Sequence, residues 1–160
     1  MTRIDRALQQ VFGRVAVDPA HLAVGGFSDG ASYRLSLGLV NGDLFSQVLA
    51  FSPGSVAPGD RHGAPCLFIS HGIHDRVLPV DACSRVLVPR LRRAGYKVCY
   101  REFEGGHLVP AGIAAEAAAW LRTPASDDPK MSDKAPPPPP PPHTPSRTTP
   151  PTTREAPTTT

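Results

Sequence analysis

Apolar residues in the first 122 positions follow two different patterns of spacing. Ile4, Leu8, Val11, Phe12 and Val15 recur at helical spacing, which predicts an amphipathic helix at the start of the chain. Four short runs of apolar residues farther along are instead typical of buried strands. These predicted strands cover residues 21–25, 47–51, 66–70 and 97–103.

Longer segments with helical patterning separate most of these strands. They predict helices over residues 30–40, 80–94 and 110–121, and Asn41-Gly42 and Gly95 supply stop signals for the first two. Pro89 is expected to kink or break the helix over 80–94, because proline lacks the backbone N–H. Strands that alternate with helices indicate an α/β fold, with a mostly parallel sheet of about four strands flanked by helices.

The composition changes sharply near residue 123. Of the 20 prolines in the chain, 13 lie in residues 123–160, and seven of them form an unbroken run over 136–142. Threonine dominates the rest of this segment, which therefore has too little apolar surface to form a core. We predict one domain over residues 1–122 and a disordered tail over 123–160. The proline run could also bind an SH3- or WW-type partner, although a plain extension explains the same composition.

The charge pattern gives little support for nucleic-acid binding. The formal net charge is only +3, and the main basic cluster, Arg90, Arg92 and Arg93, lies on one predicted helix. Such a cluster is more typical of a solvated helix face than of a nucleic-acid site. No stretch of about 20 apolar residues occurs, and residues 1–14 lack the apolar region of a secretory signal peptide. We therefore expect no transmembrane segment and no secretory signal.

The three cysteines, Cys66, Cys83 and Cys99, are an odd number with no closely spaced pair. This pattern argues against a disulfide framework and against a zinc knuckle. Free thiols in apolar surroundings favour a reducing compartment, so we predict a cytoplasmic protein.

The segment Gly26-Phe27-Ser28-Asp29-Gly30 matches the pattern G-x-S-x-G. It follows a predicted strand and precedes a predicted helix, which is the context in which this pattern forms a nucleophile turn. Glycines on either side allow the sharp turn, and the helix N-terminus favours developing negative charge. Ser28 is therefore the candidate nucleophile. The competing interpretation is a glycine-rich turn with an incidental serine.

A nucleophilic serine needs a base, and the base needs a carboxylate that orients it. Asp75 follows the third predicted strand and His107 follows the fourth, which gives the chain order serine, acid, histidine. Each has a simpler interpretation: Asp75 as a helix-capping residue and His107 as a surface loop residue. Asp81 is a competing acid, although it is better placed to open the next helix.

Two further histidines, His71 and His74, lie close to Asp75 in the sequence. They could be mistaken for metal ligands, but no second cluster completes a site, so we predict neither a metal nor an organic cofactor. His71 is interpreted instead as packing beneath the loop.

These motifs resemble the phospholipase/carboxylesterase family of the α/β-hydrolase superfamily, which includes small serine esterases and acyl-protein thioesterases. The similar segments are GGFSDGASYRLSLGL, FSPG, LFISHGIHDRVLP, LRRAGYKV and EFEGGH, which together span most of residues 20–121. The resemblance implies hydrolysis of a carboxylic ester or thioester through an acyl-serine. It places Ser28, Asp75 and His107 in the triad, and the backbone N–H of Asp29 in the oxyanion hole.

The resemblance covers only the C-terminal half of that fold, the last four strands of an eight-stranded sheet. The other half carries a second oxyanion donor, and losing one donor typically costs about 10²–10³ in rate. Strand 21–25 would then be an exposed edge through which the chain could self-associate. Two hypotheses follow: a serine hydrolase whose activity N-terminal truncation reduces or abolishes, and a non-catalytic hydrolase-like protein with a proline-rich interaction tail.

Overall fold

The computed structural model describes residues 3–122, which form four strands and four α-helices. The predicted tail over 123–160, with its proline run, lies outside these residues. In chain order the elements are α1 (Arg3–Phe12), β1 (Ala23–Phe27), α2 (Asp29–Val40), β2 (Gln47–Phe51), β3 (Cys66–Gly72), α3 (Ser84–Arg93), β4 (Val98–Phe103) and α4 (Ala111–Trp120).

The four strands form one parallel sheet in the order β1-β2-β3-β4. Val48 of β2, for example, is in register with Val24 of β1 on one side and with Leu67 of β3 on the other. Because all strands run in the same direction, their carboxyl ends meet at one edge of the sheet. The predicted α/β class and parallel sheet are confirmed.

The larger part of the core lies on the face that α2 and α3 cover. Its members are fully or almost fully buried and come from both helices and from strands β2, β3 and β4. Burying one such aliphatic side chain stabilises the fold by about 1.5–3 kcal/mol. The buried members are Ala31, Leu35, Leu39, Val48, Ala50, Leu67, Ile69, Val88, Leu91 and Val98.

A smaller core lies on the opposite face, beneath α4. Leu49, Phe68 and Cys99 of the sheet pack with Ala117, and the Trp120 ring centroid lies 5.6 Å from that of Phe68. This helix is alanine-rich, and most of its alanines remain exposed. The sheet is therefore covered on both faces, but unequally.

The first strand begins two residues later than the sequence pattern predicts. Asp18 accepts a hydrogen bond from Ala20 N (2.9 Å), and residues Pro19–His21 form a short 3₁₀ turn. His21 therefore lies in the turn, and the edge strand runs over Ala23–Phe27 rather than 21–25. A polar residue that caps its own turn has overridden the apolar pattern that follows it.

Of the two outcomes predicted for Pro89, a kink or a break in the third helix, the break does not occur. Helix α3 begins at Ser84, after turns at residues 80–83, and continues through Pro89 to Arg93. The missing N–H of Pro89 removes one backbone hydrogen bond, the one to the Arg85 carbonyl.

The start of the chain is far more exposed than the sheet. Helix α1 forms as predicted, but Val11 and Phe12 of its apolar side are 49% and 44% exposed. Strand β1 lies at an edge of the sheet, and its alternate residues Ala23, Gly25 and Phe27 are exposed. Self-association through this edge stays a prediction. Within residues 3–122, no helix has the length and hydrophobicity required to cross a membrane.

Candidate active site

Ser28 occupies a sharp turn between β1 and α2. Its backbone has φ 59° and ψ −128°, a conformation that residues other than glycine rarely adopt. A conformation of this kind costs about 1–3 kcal/mol and persists only where its surroundings hold it. Here the Ser28 N–H donates to the Phe51 carbonyl at 2.9 Å, which ties the turn to the end of β2.

The turn also brings Gly26 against the first residues of α2. A β-carbon at Gly26 would lie 2.5 Å from the carbonyl oxygen of Gly30, closer than atoms in proteins approach. A glycine is therefore required at the first G of the G-x-S-x-G pattern, and the reason is close packing of backbone against backbone.

His107 lies in the loop after β4 and contacts the serine directly. Its Nε2 atom is 2.9 Å from Ser28 Oγ, and its Nδ1 atom is 2.6 Å from Asp75 Oδ2. An ionised carboxylate only accepts hydrogen bonds, so Nδ1–H donates to Asp75, and Nε2 is left to accept from the Ser28 hydroxyl. These contacts join residues that are 79 and 32 positions apart in the sequence.

Asp75 is 5% exposed, and hydrogen bonds surround its carboxylate. Oδ1 accepts from the backbone N–H groups of Val77 and Leu78, both at 2.9 Å, while Oδ2 accepts from His107. Burial by itself would raise the pKa of Asp75, but the bonds from His107, Leu78 and Val77 outweigh it and lower that pKa below its usual value. The carboxylate is therefore ionised at neutral pH.

Hydrogen bonds join the loops that carry Asp75 and His107. Ile73 N donates to the Phe103 carbonyl and His74 N to the Gly105 carbonyl, both at 3.0 Å. The backbone of Gly72 lies so close to Gly105 and Gly106 that a β-carbon at residue 72 would overlap their carbonyl groups. These hydrogen bonds and this close backbone packing therefore hold the loops of Asp75 and His107 against each other.

Asp29 is the first residue of α2 and directly follows Ser28. The N–H groups in the first turn of a helix have no acceptor within the helix, and they point toward its N-terminal end. The Asp29 N–H thus belongs to the N-terminal turn of α2, one residue after Ser28, and its role as an oxyanion donor stays a prediction.

Comparison with known proteins gives matches among solved structures alone. No protein-family model and no curated protein sequence matches the chain. Esterase PE8 is 29% identical with a TM-score of 0.64, and the match covers 74% of this chain and 57% of that one. A carboxylesterase from Bacillus cereus is 22% identical with a TM-score of 0.60, and the match covers 74% of this chain and 55% of that one. SOBER1 from Arabidopsis thaliana is 17% identical with a TM-score of 0.58, and the match covers 74% of this chain and 57% of that one.

This chain has an α/β-hydrolase fold. Its structural neighbours are esterases and carboxylesterases, so the predicted resemblance to that branch of the superfamily is confirmed. The chain spans between 55% and 57% of the length of the three neighbours described above.

The sequence pattern did not predict the places of two side chains near Asp75 and His107. The ring of Phe27 lies against the His107 imidazole, with 4.6 Å between the ring centroids. Ser84, fully buried at the start of α3, contacts the ring of His71. Phe27 lies inside the G-x-S-x-G motif, so its position next to the nucleophile was a signal. Nothing in the local sequence distinguishes Ser84 from a helix-capping serine.

The two neighbouring histidines, His71 and His74, have different surroundings. His71 is fully buried, whereas the side chain of His74 is 68% exposed and lies 2.9 Å from Glu104. Within the described part of the chain, no three histidine, cysteine or acidic side chains are grouped closely enough to hold a metal ion.

Proposed function

We propose that this chain carries the nucleophile, base and acid of a serine hydrolase that cleaves a carboxylic ester or thioester. The observation that carries the proposal is the continuous contact from Ser28 Oγ to His107 Nε2 (2.9 Å) and from His107 Nδ1 to Asp75 Oδ2 (2.6 Å). The esterase neighbours support the same class of reaction.

In the first half of the proposed cycle, Ser28 Oγ attacks the carbonyl carbon while its proton passes to His107 Nε2. Asp75 keeps Nδ1 protonated and stabilises the positive charge that the imidazole gains. The Asp29 N–H at the start of α2 donates to the oxyanion. Collapse of the intermediate breaks the bond to the alcohol or thiol, which takes the proton from Nε2 and leaves an acyl-serine.

In the second half, water attacks the acyl-serine and transfers a proton to His107 Nε2. The carboxylic acid then leaves, and Ser28 regains its proton. None of these steps requires a metal ion or an organic cofactor, since the imidazole accepts and returns every proton.

The test is covalent labelling of the purified chain with a fluorophosphonate, which phosphonylates an activated serine. We expect labelling of the wild-type chain, complete loss in Ser28→Ala, and no labelling after heat denaturation. Ser55→Ala is the matched control, because Ser55 is an exposed loop serine and its removal should leave labelling unchanged.

A folded wild-type chain that does not react with the probe would contradict catalysis by this chain alone. That result would favour the non-catalytic hypothesis. Reaction of Ser28→Ala at the wild-type rate would remove Ser28 from the mechanism. If labelling depends on Ser28, a series of p-nitrophenyl esters and thioesters of increasing acyl length would then define the substrate.

A further inference from the structure

A second histidine lies directly behind the acid. His71, near the carboxyl end of β3, is fully buried, and both of its ring nitrogens are in contact with polar atoms. Nδ1 is 2.7 Å from Ser84 Oγ, and Nε2 is 2.7 Å from the Leu78 carbonyl oxygen. The proposed cycle does not use this side chain.

These two contacts determine which nitrogen carries the proton. A carbonyl oxygen only accepts hydrogen bonds, so Nε2–H must donate to Leu78. In the neutral ring Nδ1 then accepts from the hydroxyl of Ser84. Burial lowers the pKa of His71 and outweighs the opposing effects of the Leu78 carbonyl and Asp75, so the neutral ring is the form present at neutral pH.

His71 contacts Leu78, and the backbone of Leu78 also contacts the Asp75 carboxylate. The Leu78 N–H donates to Asp75 Oδ1 at 2.9 Å, while the carbonyl of the same residue accepts from His71. In addition, Nε2 of His71 lies 3.4 Å from Asp75 Oδ2, the oxygen that bonds His107. His71 therefore contacts the segment 75–78 at two points, one on its backbone and one on the carboxylate.

We propose that His71 is a positioning residue, which aims the Asp75 carboxylate at His107 by donating its Nε2–H to the Leu78 carbonyl. The proposal rests on the proposed function, because it assigns His71 a role in the same site. Ser84 has a supporting part, since its hydroxyl keeps the proton of His71 on Nε2. Without this donor, the Leu78 carbonyl loses its partner in a partly buried setting and the turn around Asp75 relaxes.

The test uses proton NMR of the full chain, in which a strong Nδ1–H···carboxylate bond gives a strongly downfield resonance. Its loss in His107→Ala assigns that resonance to His107. In His71→Gln the side-chain amide still has an N–H for the Leu78 carbonyl, whereas His71→Leu has none. We expect the resonance to persist in His71→Gln and to move upfield or disappear in His71→Leu, with circular dichroism unchanged.

The rate of fluorophosphonate labelling gives a second measurement on the same variants. We expect His71→Leu to label about tenfold more slowly, the equivalent of one hydrogen bond, with recovery toward the wild-type rate in His71→Gln. An unchanged resonance and rate in folded His71→Leu would overturn the proposal. If that variant does not fold, Ser84→Ala decides: a resonance shifted upfield supports the proposal, and an unchanged resonance overturns it.

The two measurements separate this proposal from the proposed function. A wild-type chain that does not label, but whose His107 resonance depends on His71, would overturn the function and keep the positioning role. If the wild-type chain and His71→Leu label equally fast, the proposed function is kept and the positioning role of His71 is overturned. Absence of the resonance from a wild-type chain that also fails to label would overturn both.

Discussion

The carboxyl ends of the strands and the segment over residues 3–22 are built in opposite ways. At the strand ends, Asp75 and His71 are buried, and both have hydrogen-bond partners on neighbouring segments. Helix α1, by contrast, leaves Val11 and Phe12 about half exposed, and within residues 3–122 it has no extensive contact with another helix or strand.

The difference shows which part of the fold is complete, in the sense that its apolar faces are packed within residues 3–122. An amphipathic helix is stable when its apolar side packs against a partner. Helices α2 and α3 have that partner in the sheet, whereas the partners of α1 and of the outer side of β1 do not lie among the described residues. Asp75 and His107 follow β3 and β4 on the complete side, whereas Ser28 directly follows the edge strand β1.

The substitution with the largest expected effect tests whether Asp75 is the acid of the proposed mechanism. Asp75→Asn keeps the shape of the side chain but presents the wrong partner to His107 Nδ1–H, and we expect the labelling rate to fall by about 10³–10⁴. Asp81→Asn is the matched control, because Asp81 is exposed and pairs with Arg85. Equal rates in the two variants would return Asp75 to the role of a turn residue.

A pair of leucines tests the contrast in packing. Leu35 of α2 is fully buried, so Leu35→Ala should lower the free energy of unfolding by about 2–5 kcal/mol. Leu8 of α1 is only half-buried, and Leu8→Ala should cost less than about 1 kcal/mol. Urea denaturation followed by circular dichroism measures both. Similar losses would show that α1 is packed as firmly as α2.

Two glycines test whether the nucleophile turn is packed more tightly than the helix at the end of the domain. In Gly26→Ala the new methyl group meets backbone atoms of Gly30, and we expect a loss of about 1–3 kcal/mol. In Gly112→Ala the methyl group of α4 meets nothing within 4 Å, so stability should stay equal or rise by less than about 1 kcal/mol. Thermal unfolding of both variants gives the comparison, and a neutral Gly26→Ala would contradict the close approach.

The smallest effect concerns acid pH. The Arg85 guanidinium, which bonds both carboxylate oxygens, outweighs burial and lowers the pKa of Glu102. A carboxyl whose pKa is lowered on folding adds stability above its unfolded pKa. That stability is lost as the pH falls through the folded value. Glu102→Gln should therefore cost about 1 kcal/mol at neutral pH and flatten the decline of stability in acid.

Asp18 is the control for this pH prediction. Its pKa is also lowered, chiefly by the N–H of Ala20, but it lies on the exposed N-terminal segment. Asp18→Asn should leave the acid limb of the stability curve close to that of the wild-type chain. Chemical denaturation repeated from neutral pH into the acid range measures both variants. A larger change in Asp18→Asn than in Glu102→Gln would reverse the contrast between the two regions.

Most of the fold could be predicted because apolar runs and helical spacing are local signals. Strand β2 begins and ends as predicted, and β3 extends two residues farther, to Gly72. Errors arose where a polar side chain or a proline competes with that pattern. The bond from Ala20 N to Asp18 moved the start of β1, and α3 continues past Pro89 at the cost of one backbone hydrogen bond.

The site could be predicted in part for a different reason. Ser28, Asp75 and His107 each follow a strand, and parallel strands bring their carboxyl ends to one edge, so chain order was enough to suggest their meeting. Distance and orientation were beyond the sequence. The bond between His71 and Ser84 joins residues 13 positions apart, and it depends on how α3 packs on β3.

The hydrogen bonds between the loops that carry Asp75 and His107 have a consequence for local unfolding. Because the Ile73 and His74 amides are bonded to the loop that carries His107, the two loops must open together. Ser28 is tied elsewhere, to the end of β2 at Phe51. The boundary between these two segments crosses the site at the contacts of His107 with Ser28 and with Phe27. We therefore expect local opening to separate Ser28 from His107 while the bond between His107 and Asp75 is kept, so that reforming these contacts restores the complete set.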